Sequence, residues 1–246
     1  MITISTATFI GLLTDALQTS ESDPEQQPVG IHVATHRDGF GTEPGTVDLI
    51  ALTSTDRFVV GHTFDVVVGQ ITASVWPIES ALNVLAICKN LLKARGKDHT
   101  VDVEVVERVP DGALPASEGG VPPVFAVTLT ETPALFDADT EYQFHADDSS
   151  AFPIDRVRDY LSCVPGESVS PDAVETCWGP RVVSALAAIA RRRKASINFY
   201  RVPGRTAQVV QIGGTWLGAA SPVTPLPGEA LTSPSISPLL PPPSDG

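Results

Sequence analysis

Few residues of this chain are placed to do covalent chemistry. His32 and His36 stand four apart, a spacing that makes a metal pair on a helix, but their neighbours predict a strand running into a loop. His145 lies next to Asp147-Asp148, and that trio reads as a solvated loop. Cys88, Cys163 and Cys177 are widely spaced and odd in number, so they make neither a disulfide framework nor a CxxC metal site. None of the patterns GxSxG, HExxH or GxxxxGK[ST] occurs, and Gly39-Phe-Gly41 and Gly213-Gly214 are turn glycines. The expectation is a protein with no catalytic residues, no metal and no cofactor, hence not an enzyme.

The positive charge is more informative. Net charge is −13, which argues against tight binding of nucleic acid over the whole surface. Yet the cations cluster: Lys89, Lys93, Arg95 and Lys97 form one group, and Arg191, Arg192, Arg193 and Lys194 another. Each falls toward the C-terminal end of a predicted helix. There a cation complements the helix dipole. The same placement also suits attraction of phosphates without reading of bases.

The elements that position these groups follow from hydrophobic period. Met1 to Ser5 alternates as a strand. Ala7 to Gln18 carries Phe9, Leu12, Leu13, Ala16 and Leu17 at helical spacing, with Thr6 as N-cap. A polar, acidic loop over Thr19 to Pro28 leads to strands at Val29–Thr35, Val47–Ser54 and Arg57–Val68. The order then returns. A strand over Gln70–Val75 is followed by a helix over Ile78–Ala94, with Pro77 in its first turn. Strands follow at Val101–Glu107, Val124–Glu131 and Glu141–Ala146, the first two separated by the Pro- and Gly-rich loop Pro110–Pro123. A shorter unit has a helical turn or two at Arg156–Leu161, a loop at Val164–Asp172, a helix at Pro180–Arg193 and strands at Ser196–Arg201, Ala207–Ile212 and Trp216–Ala219. This is an α+β chain of repeated βαβββ units. It predicts a first domain over 1–150, a shortened second one over 151–228 and a disordered Pro/Ser-rich tail over 229–246. No apolar run of about 18 residues predicts a membrane span, and the N-terminus does not read as a signal peptide. With no disulfide framework, a cytoplasmic protein is expected.

Several stretches resemble, in order, the bacterial DNA polymerase sliding clamp (β clamp) family. They are Leu49-Ile-Ala-Leu-Thr-Ser-Thr-Asp56-Arg57-Phe58-Val59-Val60, Val75-Trp-Pro77-Ile78 before an Ala/Leu helix, and Phe152-Pro153-Ile-Asp155. Trp178-Gly-Pro180-Arg-Val-Val-Ser-Ala-Leu186 and Trp216-Leu-Gly-Ala-Ala-Ser-Pro222-Val223-Thr-Pro-Leu-Pro-Gly228 complete the set. The chain departs from the family in being shorter, and in Val59, Ser221 and Thr224, which replace the family's Arg, Met and Arg.

The resemblance implies a clamp-like fold with its helices on one side of the sheets. It implies an oligomer that encircles duplex DNA, with the two basic groups on phosphates, and tethers a polymerase or other replication proteins. Peptides from polymerases or clamp loaders would dock in a groove made by Thr55, Arg57, Phe58, Val60, Pro153, Ala219, Pro222 and Val223. The chain is too short to close a ring alone, so self-association is implied, and its compact size and divergence suggest a viral or mobile-element version. The alternative is a clamp-derived binding module that modulates a host clamp or polymerase without encircling DNA.

Overall fold

The computed structural model describes residues 1–21, 30–38, 46–108, 124–132, 141–161, 178–202 and 204–223. The expected loops at Pro110–Pro123 and Val164–Asp172 and the expected tail lie outside them, as do Cys163 and Cys177. β1 (Ile2–Ser5) runs directly into α1 (Thr6–Gln18), followed by β2 (Ile31–Asp38), β3 (Val47–Thr55) and β4 (Val59–Gly69). β5 (Ser74–Trp76), α2 (Ile78–Arg95), β6 (Thr100–Arg108), β7 (Val124–Glu131) and β8 (Glu141–Asp148) repeat that order. After a short 3-10 turn at Ser149–Ala151 come α3 (Ile154–Leu161), α4 (Pro180–Arg193), β9 (Ile197–Arg201), β10 (Gln208–Ile212) and β11 (Trp216–Ala220).

The two full units exchange their first strands. β1 of the first unit pairs with β6 of the second, and β5 of the second pairs with β2 of the first, all antiparallel. Each first strand also touches the last strand of its own unit, β1 with β4 and β5 with β8. The strands β1-β6-β7-β8-β5-β2-β3-β4 therefore form a closed circuit, and β11-β10-β9 extend it from β4.

One core fills the space between this circuit and the two helices. Phe9, Leu12, Leu13 and Ala16 of α1, and Ala81, Val84, Leu85 and Cys88 of α2, occupy the same i, i+3, i+4, i+7 stripe and are buried. They meet Ile31, Val33, Ile50, Leu52, Val101, Val103 and Val127, which face inward at alternate strand positions. Trp76 joins the units: its ring lies edge-on to Phe9 at 6.1 Å and to Phe144 at 5.1 Å. A second cluster sits under α4, where Val182, Leu186 and Ile189 pack on Val59, Val210, Ile212 and Trp216. Val59 and Val67 lie on the same face of the regular strand β4, one under α4 and the other in the core beneath α1 and α2. All three long helices therefore cover one side of the sheet, and α3 lies against the other through the cluster of Val75, Phe152 and Val157.

Local details differ from the sequence reading for tertiary reasons. Thr6 is the first helical residue, not the cap; its N–H donates to the His99 carbonyl at 3.0 Å and its hydroxyl lies 2.7 Å from His99 Nδ1. The α2–β6 turn thus satisfies the start of α1, and no local side chain caps it. Pro77 is the N-cap residue of α2, one position outside the first turn, and its carbonyl accepts from Ala81 N–H at 3.0 Å. β5 begins only at Ser74, because Ile71 is tied instead to the Thr35 hydroxyl. Asp147 and Asp148 are not in a loop: they end β8, opposite Val75 and Ser74. His36 is likewise within β2, opposite Leu49. Thr19, Ser20 and Glu21, expected in a polar loop, are buried, with the Thr19 hydroxyl 2.7 Å from Ser54 Oγ. Gly61 makes this docking possible, since a Cβ there would collide with Thr19 Oγ1.

Phe9 is the side chain of α1 that reaches Trp76 of the second unit. Phe9→Ala should cost about 3–5 kcal/mol, as for other buried aromatics, read as a shift in denaturant midpoint. A cost near zero would show that the two units do not share a core.

Candidate functional site

The helix side of the sheet carries the basic groups. Lys89 and Lys93 are exposed on α2, and Lys97 is exposed in the turn after it. Arg95 is held, its Nε donating to Glu131 Oε1 at 2.7 Å. At the end of α4, Arg191 and Lys194 are exposed, Lys194 in the left-handed conformation that closes the helix.

Arg192 and Arg193 converge on Asp15 of α1, a carboxylate with no solvent exposure. Arg192 donates Nε to Asp15 Oδ1 at 2.6 Å and Nη2 to Oδ2. Arg193 donates Nε to Asp15 Oδ2 at 2.7 Å, Nη1 to Thr215 at 2.6 Å and Nη2 to Thr63 at 2.7 Å. The cluster of four cations is thus two exposed charges flanking a buried tie between α4, α1 and β4. Sequence spacing gave no sign of it, because Asp15 is distant in the chain and is the single charge in α1.

The other side of the sheet carries two concavities. The turn between β3 and β4 is shaped by its own side chains. Thr55 Oγ1 accepts from Arg57 N–H at 3.0 Å, and Asp56 Oδ1 accepts from Phe58 and Val59 N–H at 3.0 and 2.8 Å. Arg57 adopts φ +75° there. Asp56 is fixed in turn by Arg181 Nε at 3.0 Å, and Arg181 also reaches the buried Glu21 at 3.2 Å.

The turn leaves Phe58 48% exposed beside a cleft of about 60 Å³ lined by Arg57, Phe58, Val60, Ala207, Ala219 and Ser221. Of the groove residues named from sequence, Arg57, Phe58, Val60 and Ala219 meet here. Thr55 is buried within the turn. Pro153 precedes α3, and Pro222 and Val223 follow β11, all three half-buried.

A cavity of about 500 Å³ lies between the sheet and α3. Its floor is His32, Ala34 and His36 of β2, Ala51 and Thr53 of β3, His62 of β4 and Leu217 of β11; its wall is Ile154, Val157, Arg158 and Leu161 of α3. Sequence reasoning missed this site. The available signal was small and polar residues alternating with fully buried ones, as in Ile31-His32-Val33-Ala34 and Ile50-Ala51-Leu52-Thr53. His32 stacks against Phe152 at 5.6 Å, and His62 Nδ1 lies 2.8 Å from Thr53 Oγ1. Burial, reinforced by the neighbouring histidines, lowers both His32 and His62 from 6.5 to about 4, so these two imidazoles are uncharged at neutral pH. Among the described residues no group of three or more His, Cys, Asp or Glu is arranged to hold a metal ion. Burial pushes the Cys88 thiol up to about 12, which keeps it protonated and inert.

Two outcomes follow from these geometries. Asp15→Ala leaves two guanidiniums facing one another without their anion, and Arg193 is only 13% exposed. It should cost about 3–5 kcal/mol in equilibrium unfolding; an unchanged midpoint would mean the tie adds nothing. The folded-state pKa values of His32 and His62 lie below their ordinary value, so protonation favours the unfolded chain. Their contribution is fully present above about pH 6.5 and is lost as pH falls toward about 4, by at most about 3 kcal/mol each. His62→Phe should flatten the fall of urea midpoint over that range. A profile identical to the parent's would contradict the burial of a neutral imidazole.

Comparison with known proteins bears on what such an arrangement is. No protein-family model matches the sequence, and no curated protein matches it. Solved structures do match the fold. The DNA polymerase III β subunit of Thermotoga maritima superposes with TM-score 0.54 at 14% identity, over 91% of this chain and 66% of that one. The sliding clamp of Bartonella birtlesii gives 0.55 at 12% identity, over 98% and 68%. The β subunit of Pseudomonas aeruginosa gives 0.52 at 14%, over 98% and 68%. This chain spans about two thirds of the length of each. Its fold, α+β units with their long helices on one side of the sheets, is that of the bacterial sliding clamps.

Proposed function

We propose that this chain is a sliding-clamp-like processivity factor, a non-enzymatic protein that encircles duplex DNA as an oligomer and tethers a polymerase or other replication proteins. The observation that carries the reading is the sidedness of the molecule. α2, α1 and α4 share one face of the sheet, where Lys89, Lys93, Lys97, Arg191 and Lys194 are exposed in a chain of net charge −13. Concavities fit to take a peptide lie on the opposite face. Exposed lysines and arginines hold phosphates by point charge, which lets duplex DNA slide. A topological link needs no strong binding, so an otherwise acidic protein suits the task. Arg95, Arg192 and Arg193 act in this scheme by holding the helices, with their guanidiniums already engaged. The peptide site is the cleft at Arg57, Phe58, Val60 and Ala219 together with the neighbouring cavity under α3.

The test is retention on DNA. The protein, loaded with or without a loader, should stay on a circular duplex and leave a linear one. Arg191→Gln with Lys194→Asn spares the Asp15 tie and keeps a residue that tolerates the left-handed conformation. It should weaken DNA association at every sequence and lower the salt slope by about one for each phosphate no longer neutralised. Equal retention on circles and linears, with an unaltered salt slope, would overturn the reading. A monomer that binds a polymerase or a clamp but not DNA would favour the modulating module instead.

A further inference from the structure

Arg57 occupies a backbone conformation that arginine does not favour. Its φ of +75° lies in the left-handed region, where glycine and asparagine sit at least cost. Among the described residues Lys194 is the other non-glycine residue there, and it closes a helix, a common place for that conformation. The turn at Arg57 asks nothing of the guanidinium. Its closure comes from the Thr55 hydroxyl and the Asp56 carboxylate, which accept the backbone N–H groups of Arg57, Phe58 and Val59. Asp56 is braced by Arg181 at 3.0 Å. Arg57 Nη2 lies 3.9 Å from Glu21 Oε2, while Arg181 holds the same carboxylate group at 3.2 Å. The Arg57 side chain is 50% exposed and lines the cleft beside Phe58. Backbone outliers whose side chains are not spent on their own turn cluster at ligand contacts.

The charge of the two concavities is a second, separate observation. The chain has 29 Asp and Glu. Among the described residues, none of them lines the cleft or the cavity under α3. Each concavity has one arginine instead, Arg57 in the cleft and Arg158 in the cavity. Arg158 donates to Asp155 at 2.8 Å, but those side chains are 69% and 89% exposed, so opening the pair costs little. The concavities are neighbours. Val60 and Ala219 of the cleft stand opposite one another on β4 and β11, and His62 and Leu217 of the cavity do so two residues along. One extended peptide can cross both.

We propose that this site takes an acidic peptide, whose apolar side chains seat beside Phe58 and in the cavity while neighbouring carboxylates pair with Arg57 and Arg158. The inference rests on the peptide-site part of the proposed function and goes beyond it by naming the partner's chemistry. A guanidinium presents a planar fork that meets a carboxylate with two hydrogen bonds. A basic peptide would be drawn to the acidic surface at large, but at the site it would meet guanidiniums and no anion. Phe58 is the apolar anchor point, and Arg57 selects the charge beside it.

Selection from a random heptapeptide library displayed on phage, against the full chain, tests this. Recovered sequences should carry Asp or Glu next to Leu, Ile or Phe. The consensus peptide is then synthesised with its acids intact or changed to the matching amides. The acidic form should bind Arg57→Asn about fivefold more weakly than the parent, the upper range for one half-exposed ion pair. The amide form should not distinguish the two proteins. Arg57→Asn should keep the parent's unfolding temperature, since asparagine tolerates the left-handed backbone; Arg57→Gly serves if that variant fails to fold. Neutral or basic sequences, no recovered sequence, or an acidic peptide indifferent to the substitution would overturn the proposal. So would an equal loss of both peptide forms. Neutral sequences recovered by a protein that stays on circular DNA would overturn it and leave the clamp reading standing. Acidic sequences, with the charge-dependent loss, in a protein that leaves circular DNA would do the reverse.

Discussion

The exchange of first strands between the two full units is the constraint on which the rest of the structure depends. A β-strand edge presents N–H and C=O groups that must be paired once they are buried. Here β1 and β5 each leave their own unit to close the edge of the other. The circuit that results has two helices on one side and a single core, and neither unit is a finished body without its partner. Trp76 sits where the exchange happens, which is why it touches aromatic side chains from both units.

The same sheet then carries the third unit by a different device. β11 adds to β4 with Trp216 opposite Thr63 and Ala220 opposite Val59, continuing the sheet without a break. Gly218 permits this, since a Cβ there would collide with the Val60 carbonyl oxygen. α4 is fixed separately, through Asp15. A carboxylate without solvent is tolerated because Arg192 and Arg193 supply charge and directed hydrogen bonds together. Backbone pairing sets the position of the unit, and the buried ionic tie sets the helix against α1. The charges that remain exposed, Arg191 and Lys194, are held by that tie at the rim of the helical face.

In the proposed function the two faces of the sheet take different tasks. The helical face carries the exposed Lys89, Lys93, Lys97, Arg191 and Lys194. The opposite face is concave, with a floor of small side chains and of His32 and His62, both kept neutral by burial.

The sequence by itself determined the elements. The helices over Phe9 to Ala16, over Ala81 to Cys88 and over Val182 to Ile189 are legible because their buried stripe repeats at i, i+3, i+4 and i+7. The strand Val124–Glu131 and the helix Pro180–Arg193 have the bounds that alternation and a leading proline imply. The order of units followed from those local patterns, whereas the clamp-like fold was implied by the resemblance of five motifs in order. Tertiary structure alone decided what each charge and each face is for. Nothing local distinguishes Arg192 and Arg193, bound to Asp15, from Arg191 and Lys194 beside them in the chain. Nothing local shows that His32, His62 and Arg158 border one cavity. Periodicity records which side of an element is buried; it does not record against what, because the partners come from residues far along the chain, brought together by strand pairing.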